Sequence, residues 1–453
     1  MNAAFNRPGH HTMATQLRPF VLLCLLAALP AAPARASDQV PGKAQVRPVV
    51  IVGATIHPVS GPAIENGSIL FDKGKIVAVG RQVTVPDGAD VVHAEGKHVY
   101  PGLISADTYI GLTEIGAVRA SNDHTEAGGV NPNARAEAAW NPDSEIIPVT
   151  RANGITLVVT APRGGLVAGT GAVMMMDGWT REDMTLRAPA ALYVNWPSMS
   201  IVRAWWMQQS EEEQKKSREK ALAEITAAFR DARAYMTAKK AQGAPGVPAL
   251  ETDLRWEAMI PVLEGTVPVV VWAPEIRQIE AAVAWAEQEG VRLVIGGGHD
   301  AWRAAELLKA RDIPVLAGGI HRLPSRRFED YDAPFMLPRR LHEAGIRFAI
   351  ISQDEAPHER SLPYQAATAA AYGLPKDEAL RAVTLYPAQI FGVADRVGSL
   401  DPGKDATLIV TSGDPLEIMC TVEAEYIQGR AVDLTSRHTD LYDKYLEKYR
   451  RLR

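Results

Sequence analysis

At 453 residues, 47% hydrophobic and 22% charged, the chain is long enough for one large barrel plus an accessory domain with a sizeable core. A formal net charge of −5, with no long block of one sign, leaves no basic footprint and argues against nucleic acid as a partner.

The first elements form an export pattern. Arg18 precedes the apolar run 20–29, and small residues follow, with Ala34 and Ala36 spaced as signal peptidase accepts. The expectation is a signal peptide over residues 1–36, cut after Ala36, with Met1 or Met13 as the start and a periplasmic or secreted product. The run is too short to span a bilayer, and no other long apolar stretch follows, so stable membrane insertion is not expected. Cys24 lies within the run behind Leu22 and Leu23, where a lipoprotein signal would carry small residues. Cys420 alone then remains in the mature chain, which excludes an internal disulfide.

Residues 49–52, 68–71 and 75–79 are short β-prone runs, the last two joined by an Asp72-Lys73-Gly74 turn. The same texture returns at 407–410 and 422–427, before the Gln428-Gly429 turn. Neither terminal piece can bury a core of its own, so 37–98 and 396–453 are expected to pair as one composite β domain with a C-terminal tail. Between them, 99–395 alternates apolar runs with helix-like segments, the pattern of a parallel sheet with crossover helices. Strands are expected at 99–106, 156–160, 191–195, 269–272, 292–295, 313–316 and 347–351, with 172–176 as the eighth. A long charged helical stretch over 210–243 opens on a Ser210/Glu213 capping box and stops at Gly243 and Pro245. The expected fold class is α/β: a TIM-like (β/α)8 barrel with a small composite β-sandwich domain formed by both chain ends. Its active site belongs at the C-terminal ends of the strands.

Four motifs, GKIVAVG (74–80), VYPGLISAD (99–107), TLYPAQIFG (384–392) and GSLDPGKDA (398–406), resemble the amidohydrolase superfamily of the imidazolonepropionase and dihydroorotase type. They occur in the family's order and cover nearly the whole mature chain. The resemblance implies metal-assisted hydrolysis of carbon–nitrogen, non-peptide bonds of a small molecule.

The usual metal ligands are mostly replaced. Where the family's first strand ends in His-x-His, this chain has Asp107-Thr108-Tyr109. Tyr193 falls at the position of the bridging lysine, and Trp272 at the fifth-strand histidine. At the sixth strand Gly297 stands in place of histidine, with His299 two residues on. Gln353 takes the place of the last-strand aspartate, with Asp354 beside it. No cofactor is fixed by these residues; zinc is the one the resemblance allows, on Asp107 and His299. Without metal, Asp354 is the candidate general base, His299 or His321 the acid, and Tyr109 a donor to developing charge. Tyr109, Tyr193, Trp272, Arg322 and Gln353 are the expected substrate contacts, Arg322 offering a fork to a carboxylate.

Loop residues Glu114, Arg119, Asp123, His124, Glu126 and His358 are further polar groups at the expected mouth. The glycine-rich loop 164–171 lacks the ending of a phosphate-binding loop, and Met174 to Met176 suit a core. The expected function is an amidohydrolase-like hydrolase in the cell envelope. The alternative is a catalytically inactive small-molecule-binding protein on the same barrel. A small-molecule substrate is the expected partner, and the charged outer helices allow a homo-oligomer.

Overall fold

The computed structural model describes residues 39–452; the expected signal peptide and Cys24 lie outside the described residues. In chain order the strands are β1 (Val49–Ile56), β2 (Ile64–Asp72), β3 (Lys75–Gly80), β4 (Asp90–His93), β5 (His98–Pro101), β6 (Leu103–Thr108), β7 (Ile155–Thr160) and β8 (Val167–Met175). They continue as β9 (Thr185–Asn195), β10 (Val269–Trp272), β11 (Leu293–Gly297), β12 (Val315–Gly318), β13 (Phe348–Ile351), β14 (Leu408–Thr411), β15 (Val422–Ile427) and β16 (Arg430–Ala431).

One sheet runs β16-β15-β14-β5-β1-β2-β3, with β4 paired to β1. β5 sits between strands from both ends of the chain: Ile56 stands opposite Val99, and Val99 opposite Val410. Ile51, Ile69, Phe71 and Leu408 fill a separate core on this sheet. The β2–β3 turn is fastened to the returning chain, since Ile76 N–H donates to Lys404 O at 2.9 Å. Buried Asp405 also accepts Lys75 and Arg396.

The second sheet runs β13-β12-β11-β10-β9-β8-β7-β6 and is the barrel. Seven of its strands share one direction. β8, which overlaps the expected eighth strand at 172–175, runs antiparallel to both β7 and β9, a departure from the all-parallel expectation. It follows its neighbour through a short turn rather than a crossover helix, and short connections make antiparallel pairs. β6 and β13 share no ladder. The chain at Ala382 and Val383 spans the gap, taking Ile350 N–H at 3.0 Å and Ile104 N–H at 2.8 Å.

The expected 99–106 strand is two strands, split at Gly102, with its first part in the terminal sheet. Gly102 has no left-handed backbone; its role is space. A Cβ there would overlap the Thr156 side chain of β7. The long charged stretch is one helix, Glu211–Ala241, and both hydrogen bonds of the expected capping box form. Its Phe229 meets Trp285 edge-on at 4.9 Å, so one stripe is core and the charged face is outward.

Substituting Gly102→Ala should therefore lower stability by about 1–3 kcal/mol in chemical denaturation, as overpacking does. Gly61→Ala, with no atom within 4 Å of the new methyl, should leave it unchanged or slightly raised. Equal midpoints for the two variants would contradict the close-approach account.

Candidate active site

A cavity of about 430 Å³ opens at the C-terminal ends of the barrel strands. Asp107, Tyr109, Tyr193, Trp272, Gln353 and Asp354, all singled out in the sequence, line it. A cavity of about 410 Å³ lies at the opposite end, among Arg292, Arg311 and Arg347, and has no such buried charge at its floor.

β6 supplies both Ser105 and Asp107, and its pairing with β7 is irregular between Ser105 and Thr108. Asp107 is 1% exposed, and Arg163 Nη1 donates to its two oxygens at 2.9 and 2.8 Å. Arg163 follows β7 and is fixed by its main chain. Its N–H donates to His124 O at 2.7 Å, and the Asn195 amide donates to its carbonyl at 3.1 Å. Its guanidinium lies 5.4 Å from the Tyr109 ring centre, and His124 packs on that ring at 5.0 Å. Desolvation pulls the guanidinium down, but neighbouring Asp107 carries it above its ordinary value. Burial raises the Asp107 carboxyl against the pull of Arg163, and the two direct N–H···O contacts mark the pair as a salt bridge.

Beneath this pair is Glu359, fully buried and accepting from Ser105 at 2.7 Å and Ser352 at 2.6 Å. It ties β6 to the chain leaving β13, across the seam that lacks a ladder. Burial pushes its carboxyl up to about 7, against the pull of the two hydroxyls.

Tyr193 is 5% exposed, and its hydroxyl has no hydrogen-bond partner among the described residues. Gly171 of β8 makes room for its ring, since a Cβ there would lie 2.7 Å from it. Gly296 does the same for Trp272, at 2.6 Å. Gln353 adopts a left-handed backbone, φ 52°, unusual outside glycine and held here by its surroundings. Its side-chain amide oxygen, Oε1, lies 3.2 Å from His299 Nε2. Asp354 Oδ1 is 3.1 Å from His358 Nδ1.

Three expected residues stand elsewhere. Desolvation, then Arg322, pushes His299 down to about 4. It is therefore a neutral imidazole near pH 7, not the proton-loaded acid expected. His321 faces away to Thr368, 2.8 Å from its hydroxyl. Arg322 folds back on Leu323 O at 3.1 Å and Ser325 at 3.0 Å. Neither of these two lines the cavity. Of the polar loop residues, Glu114 is held by Asn141 at 3.1 Å, while His124 packs on the Tyr109 ring and His358 pairs with Asp354.

The side chains at the floor do not fit a zinc ion. Both oxygens of Asp107 are engaged by a fixed cation, and His299 is turned to Gln353. Among the described residues, no three His, Cys, Asp or Glu side chains converge on a metal-sized site. A second cation would meet the Arg163 charge without the anionic ligands that offset it.

Arg163 and Glu359 were missed in the sequence. Arg163 directly precedes the glycine-rich loop after a strand, a position that could have marked it. Glu359 carries no such signal.

The raised Glu359 carboxyl sets a sign for stability against pH. Between pH 4.5 and about 7 the folded chain keeps a proton that the unfolded chain has lost, so stability falls as pH rises through that window. The full span is about 3 kcal/mol. Glu359→Gln should remove this slope, read as denaturation midpoints from pH 4.5 to 8. Parallel profiles for the two proteins would refute it.

The Amidohydrolase family matches residues 335–435. Amidohydrolase tasK of Hapsidospora irregularis is 24% identical over 447 residues, covering 89% of this chain and 45% of that protein. The chain thus spans less than half the length of that relative. An amidohydrolase from Thermotoga maritima MSB8 has a structure similar over 85% of this chain and 99% of its own, with 28% identity and a TM-score of 0.75. A zinc-bound adenosine deaminase from Xanthomonas campestris shares the fold at 16% identity and TM-score 0.50, over 89% of this chain and 98% of its own. With the barrel, the end-to-end sheet and the motif order, these matches make the chain similar to amidohydrolases in sequence and fold, while its residues at the metal positions diverge from that pattern.

Proposed function

We propose that this protein hydrolyses a carbon–nitrogen, non-peptide bond of a small molecule, using its own side chains in the barrel-mouth cavity. The observation that carries this reading is the meeting of Asp354 and Tyr109 at that cavity, in a chain similar to amidohydrolases. Asp354 takes a proton from water as the water oxygen adds to the carbonyl carbon. His358, 3.1 Å away, steadies the carboxylate. The Tyr109 hydroxyl donates to the carbonyl oxygen as charge builds there. The carbon–nitrogen bond then breaks, and the proton passes from Asp354 to the departing nitrogen. Water and amide become acid and amine. No step runs through a metal, because the floor side chains do not suit one.

A second reading, a small-molecule-binding protein without turnover, is favoured by one observation. The two candidate zinc ligands are each engaged by a neighbour, Asp107 by Arg163 and His299 by Gln353. The leader pattern over 1–36 supports a place in the cell envelope, and the outward charged face of Glu211–Ala241 leaves room for a homo-oligomer.

Purified protein assayed against cyclic amides, N-acyl amino acids and lactones should cleave a carbon–nitrogen bond, with turnover unchanged by a chelator. Asp354→Asn should lower kcat by about 10²- to 10⁴-fold, the usual worth of a positioned base. Unchanged kcat in that variant removes Asp354 as the base. No turnover of any amide sinks the hydrolase and leaves the binding protein.

A further inference from the structure

We infer that Arg163, held in place by Asp107, is the seat for a ligand carboxylate, on the barrel floor where the family's metal would lie. This rests on the cavity being the small-molecule site, and it adds the chemical class of the molecule: one that ends in a carboxylate.

A guanidinium carries five N–H groups in a rigid plane. Nη1 is spent on Asp107, while Nε and Nη2 make no hydrogen bond among the described residues. The side chain is 28% exposed, and that exposure is to the cavity it lines. Its aim is set from several sides, by Asp107 at the tip, by the Tyr109 ring, and by His124 and Asn195 on its main chain. A fork fixed in this way matches the two oxygens of a carboxylate and loses little side-chain entropy on binding.

The second observation is Tyr193. Its buried hydroxyl lines the same cavity and has no partner, a state that buried hydroxyls rarely keep. It supplies a further donor toward the same anion. Asp107 and Arg163 together are neutral, so the carboxylate is drawn by directed hydrogen bonds more than by net charge. A neutral amide offers the fork only one acceptor.

The test is calorimetric binding of N-acetylalanine and of N-acetylalaninamide, which differ only in the carboxylate. In the unaltered protein the acid should bind at least about tenfold tighter than the amide, the worth of one charge-assisted pair. The double variant Arg163→Gln with Asp107→Asn, which leaves no buried charge alone, should bring the two ligands to similar affinity. Tyr193→Phe should weaken the acid several-fold and leave the amide unchanged. Equal affinities in the unaltered protein, no binding of either probe, selectivity that survives the double variant, or stoichiometric zinc would each overturn the proposal. Acid-selective binding without turnover rejects the hydrolase and keeps this site. Turnover without acid selectivity does the reverse.

Discussion

The architecture of the mouth depends on the ion pair between Asp107 and Arg163. Taking either charge out of water alone is costly, and removing one partner of a buried pair typically costs about 3–5 kcal/mol. The two side chains therefore require each other. Asp107 comes from the first barrel strand and Arg163 from the loop after the second, so the pair also joins neighbouring elements at their functional ends. Through it the barrel keeps a positive group on its floor while dispensing with the histidines that would hold an ion. Trp272 and Tyr193, fitted over Gly296 and Gly171, occupy space in the same cavity.

Glu359 performs a related task one layer deeper. Two serines from opposite sides of the open seam converge on one carboxyl, and the backbone at Ala382 and Val383 bridges the same gap. The barrel is thus closed by a buried acid and a strap of main chain where a strand ladder would otherwise do it. Stability and site geometry share that seam, since Ser105 and Asp107 both belong to β6.

Much of the fold was legible because it rests on local pattern. Period-two and continuous apolar runs marked the strands, and Pro101-Gly102 marked the entry to the barrel. The reversed direction of β8 was not legible. Orientation is decided by what a strand pairs with, and a glycine-rich stretch gives no directional signal. The split at Gly102 was hidden for a similar reason, because 98–101 pair with β1 and β14 while 103–108 pair with β7. In the site, the resemblance to the amidohydrolase strand ends pointed to Asp107, Tyr109, Tyr193, Trp272 and Gln353, which line the cavity. It could not foresee that Asp107 meets an arginine, nor that His299 loses its proton to burial. Those are consequences of packing.

The placing of β5 between β1 and β14 has a consequence for how the chain is made. Residues 98–101 find their antiparallel partner only after some three hundred further residues have been joined, at Leu408–Thr411. Until then the edge of β5 lies bare with Val99 and Tyr100 on it, a template for any stray strand. A product ending ahead of Leu408 would keep that edge for life. The C-terminal hairpin is therefore a guard against self-association as much as a part of the sheet.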